Sequence, residues 1–166
     1  MKPLTKLGEK TLENGSVWEL WERDGVLTLQ LDGMPCANSF TYGSEEAMAE
    51  IALSPITRAG QPCIMIAGLG LGYGLAKAME CLPKEKARFI VAEPVADILK
   101  WNREFGENKE LWNDKRVSAE TTASMIMLPG PVSNAKISSG CAPAGRTVTL
   151  PIPPMFCSRM VSFSRR

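Results

Sequence analysis

Three glycines and one carboxylate carry the chemical interest of this chain. Gly68, Gly70 and Gly72 fall in the run Gly68-Leu69-Gly70-Leu71-Gly72, directly between an apolar stretch and a segment with helical character. Glycine lets a backbone turn tightly and come close to a ligand because no Cβ intervenes. A helix N-terminus just beyond such a turn presents free N–H groups and the positive end of its dipole. Glu93 ends the next apolar stretch, where a carboxylate can accept hydrogen bonds from two ribose hydroxyls, and Pro94 follows it. A strand, a G-x-G-x-G loop, a helix, a second strand and a terminal acid form the series that adenosine cofactors use. The plain alternative is that the glycines make only a tight connection and that Glu93 is a solvated strand-end carboxylate.

The spacing narrows the ligand. A dinucleotide fingerprint needs a glycine where this chain has Tyr73 (counting from Gly68) or Leu75 (counting from Gly70), so neither register fits. G-x-G-x-G suits a nucleoside without a pyrophosphate, as in S-adenosylmethionine sites. Residues 68, 69, 70, 72, 93 and 94 are the expected cofactor-binding positions. No catalytic residue is assigned, and no metal site is expected.

Composition limits the rest. The 166 residues carry a formal net charge of +1, which gives no overall pull toward nucleic acid or an anionic membrane. The sequence contains no histidine, which removes the commonest general base and metal ligand. The five cysteines form no C-x-x-C pair and read as reduced thiols. The polar start lacks the apolar core of a signal peptide, so a cytoplasmic location is expected. No apolar run is long enough to span a bilayer.

The elements that position the loop follow from periodicity. Residues 16–31 read as a hairpin turned at Asp24-Gly25, with Leu27, Leu29 and Leu31 on one face. Asp32-Gly33 marks a second turn, with a short strand expected in Met34–Tyr42. A helix starts near Ser44, its expected N-cap, with Ala47, Met48, Ile51 and Ala52 as its apolar stripe and Pro55 as its end. Pro62–Ala67 and Arg88–Ala92 read as parallel strands buried on both faces. Tyr73 to Cys81 and Pro94–Glu104 read as helices, the second with Pro94 at its first position and Val95, Ile98, Leu99 and Trp101 facing inward. Lys115–Ser118 begins another strand.

From Ser118 onward the character changes: Glu120 is the one acid, and half of the twelve prolines fall here. No strand alternation stands out. The expected fold is α/β: an N-terminal β-hairpin module over 1–43, a partial Rossmann-like parallel sheet with flanking helices over 44–117, and an irregular tail over 118–166, read as disordered or frameshifted.

Over about residues 17–117 the chain resembles the spermidine synthase-like group of S-adenosylmethionine-fold (class I methyltransferase-like) proteins. The resemblance rests on VLTLQLDG (26–33), SEEAMAEIAL (44–53), CIMIAGLGLGYGLAKAME (63–80) and FIVAEPVADILKWNREF (89–105). It implies a small β domain before a Rossmann-like domain, a ligand of the S-adenosylmethionine or decarboxylated S-adenosylmethionine type, and aminopropyl transfer to a polyamine or a related methyl transfer. By position, Gly68, Gly70 and Gly72 would cradle the sulfonium nucleoside and Glu93 its ribose. The family's loop carries an aspartate that Leu71-Gly72-Tyr73 lacks. Its catalytic aspartate after the fourth strand has no counterpart here. The alternative is therefore a non-catalytic remnant or binding subunit. The expected partners are a small-molecule nucleoside and, across an uncovered sheet edge, a second copy of the chain in a homodimer; nucleic acid and membrane are not expected.

Overall fold

The computed structural model describes residues 2–58, 60–83 and 87–121, and the backbone of 147–151. Its first half is an antiparallel meander in the order β1-β2-β3-β4, formed by Thr5–Thr11, Val17–Arg23, Val26–Leu31 and Met34–Asn38. Asp24 and Gly25 take φ of 53° and 85°, and Asp32 and Gly33 take 51° and 76°. Positive φ at both central residues is the requirement of the two-residue hairpin turn, so both expected turns form. Leu20, Leu27 and Leu29 are buried on the inner face. β1 enlarges the expected hairpin. Its residues are mostly exposed, so the burial signal is faint, but Asn14-Gly15 ahead of β2 is itself a turn signal, with Gly15 at φ 86°.

Helix α1 spans Gly43–Leu53. Tyr42 occupies its N-cap position without a side-chain cap, and Ser44 lies inside the first turn. The buried positions are Ala49 and Leu53, whereas Ile51 is 76% exposed. The expected stripe is thus rotated: α1 packs along a second helix with Ala49 and Leu53 as its buried positions. The chain then continues as a short 3-10 turn, Ser54–Ile56, which accommodates Pro55 in its first positions.

The second half is a parallel sheet in the order β7-β6-β5-β8, from Cys63–Ala67 (β5), Arg88–Ala92 (β6), Val117–Glu120 (β7) and Thr147–Pro151 (β8). Helix α2 (Tyr73–Cys81) connects β5 to β6, and α3 (Ala96–Glu104) connects β6 to β7. Numbered within its own sheet the order is 3-2-1-4, so the direction of winding reverses between β5 and β8. That reversal is where ligands of doubly wound sheets bind, at the carboxyl ends of the strands.

Two expectations change here. The tail was expected to hold no strand, yet Thr147–Pro151 pairs in parallel with β5, Cys63 to Thr147 through Ala67 to Pro151. Its TVTLP run is short and ends in proline, which hides a strand from a period count. Helix α3 begins at Ala96, with extended Val95 as its N-cap, so Pro94 precedes the helix instead of opening it. The remainder of the tail lies outside the described residues.

The core is continuous between the two sheets. Ile64, Phe89, Val91, Leu75 and Leu82 are fully buried, each contributing about 1.5–3 kcal/mol by leaving water. Val95, Ile98, Leu99 and Trp101 are buried as expected. Trp101 of α3 lies against Gly8 of β1, where a Cβ would overlap its indole ring, and Lys10 pairs with Asp97 at 3.5 Å. These contacts seat the meander on α3. Cys63 is disulfide-bonded, which corrects its reading as a reduced thiol, while Cys81 is a free thiol. Among the described residues no helix is long and apolar enough to cross a membrane.

Candidate functional site

The glycine loop caps the carboxyl end of β5 and is fixed from beneath. Gly68, Gly70 and Gly72 take φ of 81°, 58° and 86°, all in the left-handed region that an L side chain rarely adopts. The leucines between them point the other way: Leu69 is 3% and Leu71 5% exposed, both within the core. The alternation therefore anchors the loop through leucine; Gly68 and Gly70 stay partly exposed, while Gly72 is buried beside Asn102. Gly68 N–H donates to Ala92 O at 2.8 Å and Gly72 N–H to Leu69 O at 3.0 Å, closing the turn into α2.

Glu93 is buried at the end of β6, beside the loop. Its two carboxylate oxygens accept different backbone donors, Oε2 from Leu69 N–H at 2.9 Å and Oε1 from Val95 N–H at 3.0 Å. Burial pushes its carboxyl up from the ordinary glutamate range, and those two N–H donors act in the opposite direction. Glu93 thus ties the glycine loop to the start of α3. Pro94, half-buried, makes the turn between β6 and Val95.

Asn102 is a loop-holding position that the sequence reading missed. It is buried on α3, and its Nδ2 donates to Gly70 O at 2.8 Å and to Ile98 O at 3.0 Å. A Cβ at Gly72 would stand 3.1 Å from Asn102 Oδ1. Its signal was an asparagine on the inward stripe of a helix, three residues beyond Leu99, where an apolar residue is the default. The loop is thus held by Asn102 and Glu93 together.

The opposite side of the loop faces β4 and α1. A Cβ at Gly70 would lie 3.9 Å from Ala37 Cβ and 3.9 Å from Glu45 Oε1. Tyr42 and Tyr73 stack there with centroids 3.9 Å apart and planes 7° apart. The Tyr73 hydroxyl donates to Glu107 Oε2 at 2.7 Å, and burial together with that carboxylate raises its pKa. Of the glutamates on α1, Glu50 is exposed and pairs with Lys77 at 2.9 Å, while Glu45 is half-buried, its Oε1 3.9 Å from where a Gly70 Cβ would stand. The tryptophans are packing residues, Trp18 and Trp101 in the core and Trp112 under Arg103, whose guanidinium carbon is 4.9 Å from the ring centroid.

A surface cleft of about 370 Å³ lies on the outer side of α3, between Ala96, Leu99, Lys100, Arg103, Glu104 and Thr121, away from the glycines. Beneath Gly70 and Leu71 only about 10 Å³ is open, so the underside of the loop is packed. Among the described residues no group of three or more His, Cys, Asp or Glu side chains could hold a metal.

With this geometry in place, the fold class is defined: a small antiparallel sheet followed by a Rossmann-like parallel sheet, the spermidine synthase-like arrangement. A spermidine synthase from Thermotoga maritima superposes with a TM-score of 0.57 at 14% identity, covering 70% of this chain and 40% of that one. A spermidine synthase in complex with the transition state analogue AdoDATO gives the same TM-score and identity, covering 70% of this chain and 39% of that one. The chain thus spans about two-fifths of the length of these structures. No family model and no curated protein sequence matches it.

Proposed function

We infer that the carboxyl edge of the parallel sheet binds a sulfonium nucleoside of the S-adenosylmethionine type, S-adenosylmethionine itself or its decarboxylated form. The observation that carries this reading is the coincidence of three left-handed glycines, a buried glutamate on the adjacent strand and the reversal of winding at β5. The partly exposed backbone of Gly68 and Gly70 lets a nucleoside approach, with Gly72 closing the turn beneath it. Each Glu93 oxygen accepts one backbone N–H and keeps a second lone pair for a ribose hydroxyl. Leu69 contributes its backbone, since its side chain is buried, and Pro94 borders the ribose side. The analogue bound to one of the structural neighbours favours this ligand class. In a transfer reaction the sulfonium carbon is the electrophile, and the protein's part is to position the two reactants and exclude water.

A second reading, a binding protein without turnover, is favoured by a specific feature. Residues 121–166 contain no Asp or Glu, so the fifteen residues after β8 in this sequence supply no side-chain carboxylate to take a proton from an attacking amine. The two readings share the pocket and differ in chemistry. Titration calorimetry with S-adenosylmethionine, its decarboxylated form and methylthioadenosine tests the pocket. Micromolar binding that Glu93→Ala abolishes in a folded variant supports it, and turnover with a polyamine acceptor then separates enzyme from binder. A folded chain that binds none of the three makes the glycine loop a feature of the fold alone.

A further inference from the structure

We propose that Asn102 is a positioning residue of this site, whose side-chain amide turns the Leu71 N–H out toward the bound nucleoside as a hydrogen-bond donor. The inference rests on the nucleoside reading and deepens it.

The hydrogen bonds of the loop leave this donor over. Of the five N–H groups from Gly68 to Gly72, three are occupied: Gly68 donates to Ala92 O, Leu69 to Glu93 Oε2 and Gly72 to Leu69 O. Among the described residues no acceptor meets the N–H groups of Gly70 and Leu71. Gly70 is partly exposed, so water can satisfy it. Leu71 is only 5% exposed, and a backbone donor left over in a buried residue is rare, because it gives up its bond to water and gains none. Leu71 precedes Gly72, the N-cap of α2, so its N–H belongs to the loop and is not one of the free groups of the helix end.

The direction of that donor is set from α3. Asn102 Nδ2 donates to Gly70 O at 2.8 Å, which draws this carbonyl toward the helix. The peptide between Gly70 and Leu71 is trans, so its C=O and N–H point opposite ways and the Leu71 N–H is turned away from Asn102. The other bond of the amide, to Ile98 O at 3.0 Å, stays within α3. An apolar residue would fill this buried position without desolvating an amide, so the hold on the loop is what asparagine adds. Helix α3 is itself seated on the meander, by Trp101 against Gly8 and by Asp97 with Lys10, which gives the amide a fixed support. A nucleoside acceptor that meets the Leu71 N–H satisfies a donor the fold leaves unpaired, and the loop needs no reorganisation to offer it.

Titration calorimetry against methylthioadenosine and S-adenosylmethionine, with amide hydrogen exchange read by NMR, tests this on wild type, Asn102→Leu and Asn102→Asp. Thermal melts establish that each variant folds. In wild type, ligand at saturation should slow exchange of the Leu71 N–H by about tenfold or more. Asn102→Leu keeps the volume and removes the donor; it should weaken binding by about tenfold and lose the ligand's protection of Leu71, while Gly68 stays protected. Asn102→Asp keeps the shape and should weaken binding at least as much. A folded Asn102→Leu that binds like wild type, with Leu71 still protected by ligand, overturns the positioning role and leaves the pocket standing. Binding to wild type that leaves Leu71 exchange unchanged overturns the donor, and this measurement needs no variant to fold. Absence of binding by both ligands to folded wild type overturns the nucleoside reading, and the donor with it.

Discussion

Substituting Gly70 with alanine separates a glycine required by the fold from one required by a ligand. At φ 58° an alanine enters the left-handed region at a cost of about 1–2 kcal/mol. Space adds little to that cost, because the new methyl would stand 3.9 Å from both Ala37 Cβ and Glu45 Oε1, ordinary van der Waals separation. Gly70→Ala should therefore fold, with a midpoint lowered by about 2–8 °C. Gly70→Asn should lose less, since asparagine tolerates this conformation better. Gly72 is different. At φ 86°, with Asn102 Oδ1 3.1 Å from the new methyl, alanine must both strain the backbone and displace the buried amide that holds Gly70 O and Ile98 O. The combined loss is roughly 2–5 kcal/mol. Urea unfolding of the three variants measures these differences. The new methyl at Gly70 also points into the space between the loop, Ala37 and Glu45, so ligand affinity should fall by more than about tenfold although the fold survives. Equal destabilisation by Gly70→Ala and Gly72→Ala would refute the packing argument. Gly70→Ala that folds and binds like wild type would refute the claim that this glycine is there for ligand approach.

Two further perturbations test the surroundings of the loop. Gly8→Ala places a methyl inside the Trp101 indole and should destabilise the chain by about 1–3 kcal/mol, with Trp101→Leu in the same chain recovering part of the loss; a denaturant series on the single and double variants checks the coupling. Glu93→Gln should change how stability depends on pH. A carboxyl raised in the folded state favours folding most when protonated, below its unfolded pKa, and this contribution is lost as pH rises through the folded value. The stability of wild type minus that of Glu93→Gln should therefore be greatest in acid and decline toward neutrality, and a difference that grows with pH would contradict the burial of Glu93 as its dominant influence.

Much of this architecture is legible in the sequence because its signals are local. Asp24-Gly25 and Asp32-Gly33 specify turns by their need for positive φ, and Pro62–Ala67 and Arg88–Ala92 are apolar throughout because they are covered on both faces. What escaped depends on contacts between distant segments. The inward face of α1 was misjudged because it is set by packing against α2, which leaves Ile51 in solvent. β8 is short and separated from β5 by almost half of the chain, so nothing local marks it as a strand. Asn102 and Glu45 carry no motif; their meaning comes from the loop they face.

The same residues that make the loop persuasive as a ligand site also explain it without one. Leu69 and Leu71 anchor it in the core, Asn102 holds Gly70 O, and Glu93 holds Leu69 N–H, so its shape is maintained by the protein alone. Left-handed glycines in such a loop follow from the turn, and their presence does not by itself distinguish a pocket from a relic of one. The distinguishing feature is on the other side. Beside Gly70 the nearest atoms are Ala37 Cβ and Glu45 Oε1, each 3.9 Å from where a Cβ would stand, so no bulky side chain covers that backbone. A fold that used the glycines only for turning would gain by covering that backbone with an apolar side chain. The ligand affinity of Gly70→Ala, more than the glycine count, therefore decides what this loop is for.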